Sequence, residues 1–284
     1  MPELPEVELV TRSLNTIVSG KVIAKAELLR ERLAPDCPPS DFAHRVSACK
    51  INLVHRRGKH ILFDLDNGRT LITHLRMSGR FLHLPIESEN PKFTHAVFYL
   101  NGDTKLVFDD QRHFGLMKLV ETSRLNEVES IKKLAPEPFS DEFSPSYLLN
   151  QLRSSKRSLK EFLIDQTKVC GLGNIYAAEA MFLAKLNPEQ SANTISAQKS
   201  VILHEKIRQT LGEAVELGST LAIDEANIGG SIYGSGSDWT WRVYDREGDE
   251  CEVCKAAILR IKQGGRSTYF CKRCQRKPAV RRSK

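Results

Sequence analysis

Cys251-Glu252-Val253-Cys254 and Cys271-Lys272-Arg273-Cys274 stand sixteen residues apart near the end of a 284-residue chain. Two Cys-x2-Cys turns at this separation fit a four-thiolate zinc site. Between them, Ile258-Leu259-Arg260-Ile261 and Ser267-Thr268-Tyr269-Phe270 read as strands, with Gln263-Gly264-Gly265-Arg266 at the tip. The spacer is therefore expected to form a hairpin that brings the two cysteine pairs together. Four thiolates leave no open coordination position, so the expected cofactor is one structural Zn2+. Disulfides are the competing reading of the same spacing. Cys37, Cys49 and Cys170 are scattered and odd in number, which points to a reducing compartment and to thiols that act as small buried hydrophobes. The hairpin would hold Arg266 out as a fixed cation, with Arg260, Lys262, Lys272 and Arg273 around it. Such an arrangement suits phosphate.

Charge is distributed unevenly around this module. The formal net charge is +7, yet residues 255–284 contain eleven Lys or Arg and no Asp or Glu. Residues 1–254 hold 31 basic and 35 acidic side chains, a net of −4. Basic charge confined to one end suits a polyanionic partner. The stretch from Lys277 to Lys284 reads as a solvated basic tail. Hydrophobic content of 40% and charged content of 27% are those of a globular chain long enough for two domains and a small module. The start carries Glu3, Glu6 and Glu8 and lacks a basic segment followed by an apolar one, so no signal peptide is expected. No apolar run approaches a membrane span. The expectation is a soluble, cytoplasmic protein with no membrane partner, acting as a monomer.

Upstream of the cysteines, residues 218–238 are rich in Gly and Ser and read as a mobile loop, followed by a strand from Trp239 to Tyr244. Residues 146–217 read as helices. Leu159, Phe162 and Leu163 mark one, Ile175, Ala178, Met181 and Phe182 a second, and Ala197 to Leu217 a third. Pro136, Pro138 and Pro145 punctuate a linker. From Lys21 to about Val120 the pattern alternates with period two, as in Ile61-Leu62-Phe63-Asp64-Leu65, with hairpin turns at Asp66-Asn67-Gly68 and Asn101-Gly102-Asp103. Short strands at this spacing suggest a β-sandwich or barrel. Ahead of them, Val7, Val10, Leu14 and Ile17 share a helix face, and Pro5 suits a first helical turn. The fold class is α+β.

Two further segments carry chemistry. Gly171-Leu172-Gly173-Asn174 opens the second helix, where free N–H groups attract phosphate. Arg153, Lys156, Arg157 and Lys160 either line the same phosphate track or coat a solvated helix. At the start, Met1-Pro2 permits removal of the initiator methionine, which would leave Pro2 as a secondary amine. An α-amino group has a reference pKa near 8, so part of it is unprotonated and nucleophilic at neutral pH. Attack on a sugar C1′ would form an iminium that acidifies the C2′ hydrogen, so one residue could serve both base release and strand cleavage. Glu3 and Glu6 beside it are candidates for acid or base work.

With these segments together, the chain resembles the formamidopyrimidine-DNA glycosylase family over residues 1–275. The resemblance rests on Met1-Pro2-Glu3-Leu4-Pro5-Glu6-Val7-Glu8, Arg56-Arg57-Gly58-Lys59 and His74-Leu75-Arg76-Met77-Ser78-Gly79. It continues through Asp110-Gln111-Arg112-His113-Phe114-Gly115, Pro136-Glu137-Pro138 and Gly171-Leu172-Gly173-Asn174-Ile175-Tyr176-Ala177, and ends on the four cysteines and Gln275.

The resemblance implies a catalytic β-sandwich domain with an N-terminal helix over 1–133 and a linker over 134–145. A helix–two-turn–helix DNA-binding domain over 146–237 would follow, with a lesion-capping loop over 218–238, a zinc finger over 238–276 and a basic tail over 277–284. The implied activity belongs to base excision repair. A bifunctional glycosylase and AP lyase would remove oxidised purines (8-oxoguanine and formamidopyrimidines) from damaged double-stranded DNA by a Schiff base, then β,δ-elimination. By matching position, Pro2 would be the nucleophile, Glu3 the acid that helps open the sugar, Lys59 the group for β-elimination, and Arg266 a phosphate holder that assists δ-elimination. Met77, Arg112 and Phe114 would fill the space left by the everted nucleotide. Glu6, His95, Lys156 and Asn174 would also face the DNA. Taken without the resemblance, Met77 and Phe114 read as core and Lys59 as a solvated strand residue. Phe93 stands where many relatives carry His, and Ala135 where Gly is usual. The competing functions are the sister activity on oxidised pyrimidines, a noncatalytic DNA-binding protein on the same scaffold, and a zinc-ribbon interaction protein, which would leave Pro2, Lys59 and Asn174 unexplained.

Overall fold

The computed structural model describes residues 2–220, 224–228 and 241–277. Met1, most of the expected 218–238 loop and the tail beyond Lys277 lie outside them. The chain divides into two compact units, one running to Lys132 and resuming at Val215, the other comprising Lys133–Ala214 and the chain from Gly236 onward.

In the first unit, α1 (Leu4–Val18) is followed by β1 (Val22–Leu28) and α2 (Pro39–Val46). Next come β2 (Cys49–Arg57), β3 (His60–Leu65), β4 (Arg69–His74) and β5 (Gly79–Pro85). Last are β6 (Thr94–Leu100), β7 (Thr104–Asp110), β8 (Leu116–Glu121) and the short α3 (Glu129–Lys132). The strands run in the order β5-β7-β6-β1-β2-β3-β4-β8, all neighbours antiparallel. The middle of this sheet is thin, because β1 and β2 pair only at Val22↔Lys50 and Ile23↔Cys49. That narrow joint lets the two halves fold over one another. Phe63 of β3 and Phe81 of β5, far apart in strand order, bring their rings to 5.6 Å, and one core holds side chains from both halves. The result is the expected sandwich.

Helix α1 buries Leu4, Val7, Val10 and Leu14 in or beside that core. Each such side chain contributes roughly 1.5–3 kcal/mol. The two expected hairpin turns lie where Gly68 and Gly102 adopt φ of 74° and 91°. Helix α2 interrupts the stretch that sequence periodicity assigns to strands. It has only eight residues and commits Phe42 and Val46 to the core, too few positions to set a 3.6-residue period.

The second unit holds α4 (Pro145–Arg153), α5 (Leu159–Leu163), α6 (Asn174–Leu183) and α7 (Ala197–Ser219), the last extending into the first unit. Ser144 and Ser158 cap α4 and α5 by accepting the Tyr147 and Glu161 N–H groups. The hairpin of β9 (Ile258–Gln263) and β10 (Arg266–Cys271) closes at Gly264 and Gly265, both at positive φ as a tight two-residue turn requires. Residues 241–244 do not continue the strand expected there. The N–H groups of Arg242, Val243 and Tyr244 donate instead to the buried carboxylate of Glu179 at 2.9–3.0 Å, which replaces a strand partner.

Candidate active site

The expected site residues fall in both units, and each group is built within its own. At the start of α1, Pro2 is partly exposed, whereas Glu3 is 2% exposed. The Glu3 N–H donates to the carboxylate of buried Glu6 at 2.7 Å, and the Glu3 carbonyl accepts from Val7 N–H at 3.0 Å. Glu6 therefore fixes the backbone that presents Glu3, and both acids sit at the helix end that favours negative charge.

One turn on, Glu8 links α1 to the turn that carries Lys59. Its carboxylate accepts from Arg56 and Arg12, each at 2.8 Å. Burial alone would raise the Glu8 pKa, but the hydrogen bonds and charge of the two guanidiniums outweigh it and hold the carboxyl below its ordinary range. Arg56 also donates to the carbonyl of Gly58 at 3.0 Å, and Gly58 adopts φ 59° to turn the chain between β2 and β3. Lys59, the next residue, is 5% exposed, which excludes the solvated-strand reading. Beside it, the rings of His60 and His74 meet edge to face at 4.9 Å. Burial pushes His60 down to about 4 and His74 to about 2, and the charge of Arg76 acts in the same direction on both. Both imidazoles are neutral near pH 7.

The loops expected to enter the duplex project from the same unit. Met77 is 43% and Phe114 45% exposed, so neither is core. The Arg112 guanidinium lies 5.5 Å from the Phe114 ring centroid, a cation–π contact that groups the two side chains. His95 is buried rather than presented to solvent. Its Nε2 lies 3.1 Å from the Asp110 carbonyl and 2.9 Å from His113 Nδ1, so it supports the Arg112–Phe114 loop from behind.

In the second unit, Asn174 opens α6 and ties three elements together. Its Nδ2 donates to the Ser267 carbonyl of β10 at 2.9 Å, and its Oδ1 accepts from Lys160 Nζ at 2.6 Å. Lys160 is 1% exposed, so it neither lines a surface track nor coats a solvated face. Arg157 is engaged by Asp165 at 2.9 Å, while Lys156 and Arg266 are exposed. Periodicity gave no signal for the buried side chains of Lys160, Asp110 and Glu179: each is a charged residue with at least one hydrogen-bond partner from another segment of the chain.

Cys251, Cys254, Cys271 and Cys274 place their sulfurs within 4.8 Å of one another, with Cys251–Cys274 at 3.8 Å and Cys254–Cys271 at 3.4 Å. A tetrahedral ion with Zn–S bonds near 2.3 Å requires sulfur separations of about 3.8 Å. The donor set and spacing therefore fit one zinc ion. Gln275 fastens the module to the turn that follows α6: its Oε1 accepts from Cys271 N–H at 2.9 Å and its Nε2 donates to the Leu186 carbonyl at 2.8 Å.

Comparison with known proteins bears on all of these segments. Residues 1–117 match the formamidopyrimidine-DNA glycosylase N-terminal domain, residues 134–225 the H2TH domain of the same proteins, and residues 248–276 the zinc finger found in FPG and IleRS. The chain is 38% identical to the formamidopyrimidine-DNA glycosylase of Roseobacter denitrificans over 288 residues, covering 97% of this chain and all of that one. It is also 38% identical to the Listeria innocua enzyme over 276 residues, with the same coverage. Among solved structures, Lactococcus lactis Fpg bound to DNA containing N7-benzyl-Fapy-dG superposes with a TM-score of 0.88 at 33% identity. The same protein bound to DNA with an oxidised pyrimidine superposes at 0.88 and 32% identity. Each comparison covers 97% of this chain and 100% of the relative.

Proposed function

Because the chain belongs to the formamidopyrimidine-DNA glycosylase family, we propose that it excises oxidised purines from duplex DNA and then cleaves the strand, with Pro2 as nucleophile. The observation that carries this reading is the start of α1, where partly exposed Pro2 adjoins a buried Glu3 held by Glu6.

After loss of Met1, the Pro2 nitrogen attacks C1′ of an everted nucleotide, and the C1′–base bond breaks as the base leaves with a proton. Glu3 gives a proton to O4′ as the sugar ring opens to the iminium. Loss of the C2′ proton, with Lys59 assisting, breaks the C3′–O bond; loss of the C4′ proton in a δ-elimination assisted by Arg266 breaks the C5′–O bond, and water then hydrolyses the iminium and frees Pro2. Chemistry at C1′ requires the nucleotide to leave the stack, at a cost of a few kcal/mol. The exposed Met77, Arg112 and Phe114 would offset part of that by filling the vacated space. Arg266 and the α6 start at Asn174 would hold phosphate, and exposed Lys156 would add to the same track.

Duplexes carrying 8-oxoguanine, a formamidopyrimidine or an oxidised pyrimidine opposite each base test the lesion class. Faster excision of the two purine lesions, with phosphate left at both ends of the gap, is expected. Preference for the pyrimidine would assign the sister activity instead. That alternative merits testing because the Lactococcus relative has been crystallised on DNA containing an oxidised pyrimidine.

A further inference from the structure

A single buried carboxylate, that of Asp110, accepts hydrogen bonds from both of the loops that carry Met77, Arg112 and Phe114. Strands β5 and β7 pair in register at Gly79↔Asp110. The segment just before Gly79 carries Met77, and the segment just after Asp110 carries Arg112 and Phe114, so the two loops leave the sheet side by side. The Asp110 side chain, fully buried, lies between them. Its Oδ1 accepts from Ser78 Oγ at 2.5 Å and from Arg112 N–H at 3.2 Å, while its Oδ2 accepts from Gly115 N–H at 2.7 Å. Ser78 Oγ in turn accepts from Arg112 N–H at 3.0 Å.

The surrounding backbone leaves no slack. A Cβ on Gly79 would lie 2.6 Å from the Leu75 carbonyl oxygen, and one on Gly115 would lie 2.8 Å from the Phe108 ring. Arg76 and His113, each next to an intruding side chain, adopt φ of 56° and 58°, a region that side chains other than glycine rarely occupy. Local conformational preference would relax both loops. The carboxylate, which accepts donors from both, holds them in one shape.

We propose that Asp110 is a positioning residue that locks the Met77 loop to the Arg112–Phe114 loop, so that the three side chains enter the vacated space as a preassembled unit. The proposal rests on the reading that these side chains support nucleotide eversion. Asp110 itself touches no reacting atom. Misplacing an assembled group by about 1 Å lowers rates by about a hundredfold, and the effect should fall on eversion.

Asp110→Asn keeps the shape but turns one acceptor into a donor facing N–H and O–H groups. Ser78→Ala removes one donor to Asp110 and one of the two acceptors of the Arg112 N–H but leaves the carboxylate in place, so it is the milder variant should Asp110→Asn fold poorly. Each is compared with the unaltered protein in single-turnover excision from an 8-oxoguanine duplex and in borohydride trapping on DNA already holding an abasic site, where no base need be displaced. The expected result is a loss of excision at least tenfold greater than the loss of trapping, smaller in the same direction for Ser78→Ala, and a weaker fluorescence change from 2-aminopurine beside the lesion. Parallel loss in both assays, or no loss in either, overturns the inference. If the unaltered protein gives no adduct on abasic DNA, the nucleophile reading fails and this inference falls with it. If it does and the variants lose both activities equally, the positioning role alone is rejected.

Discussion

At the scale of single residues, the site depends on charged groups withdrawn from water and held by particular partners. Glu3 is fixed through Glu6, and the Lys59 turn through Glu8 and Arg56. Buried His60 and half-buried His74 are held neutral in the fold, which makes it sensitive to acid. Burial lowers the His60 pKa from 6.5 to about 4, so the folded chain binds fewer protons than the unfolded one between those values. Its contribution to stability is complete above pH 6.5 and declines as pH falls towards 4, by at most ~1.4 kcal/mol per pH unit. Urea midpoints measured across this window should fall with pH in the unaltered protein and fall less steeply in His60→Gln. Equal slopes would show that His60 titrates normally. The motifs that name Pro2, Glu3 and Lys59 were legible in the sequence. Lys160 was not, because the same basic run describes a surface helix equally well; its burial and its contact with Asn174 show it to be an internal strut.

At the scale of elements, the zinc hairpin was the most legible part of the chain, since ligand spacing and the Gly264-Gly265 turn point to the same geometry. Helix α2 was hidden because eight residues carry too little periodicity. The segment around Arg242–Tyr244 was misread because its backbone groups are satisfied by the side chain of Glu179, a long-range partner that a local pattern cannot reveal. The hairpin also makes a metal prediction. The four thiolates and Gln275 hold β9 and β10 to the helical unit, and Asn174 accepts part of its support from β10 through Ser267. The purified protein should contain one zinc per chain by native mass spectrometry. Cys254→Ser should lose the metal and weaken DNA binding at least tenfold. Retained affinity without zinc would mean that the hairpin contributes nothing to the DNA surface.

At the scale of the whole molecule, the sequence supplied the order of parts: a helix, a β-sandwich, a helical unit and a cysteine module. It did not show that the chain returns after Val215 to the first unit, where Ile228 pairs with Phe81. Charge acts at this scale as well. The excess of basic residues lies in the last thirty positions, while the rest of the chain is slightly acidic. DNA affinity should therefore depend steeply on salt, through a few phosphate contacts. Arg266→Ala should weaken binding to all sequences alike and lower the slope of log affinity against log salt by about one. An unchanged slope would remove Arg266 from the phosphate contacts.

In the proposed mechanism every step begins at one nitrogen, and borohydride trapping examines it directly. The protein is incubated with an 8-oxoguanine duplex, reduced, digested and mapped by peptide mass spectrometry. The account predicts a covalent DNA adduct on a peptide that begins at Pro2, with Met1 absent, and no adduct when Pro2 is replaced by an acetyl-blocked residue. An adduct on another residue, or active protein that retains Met1, would contradict it.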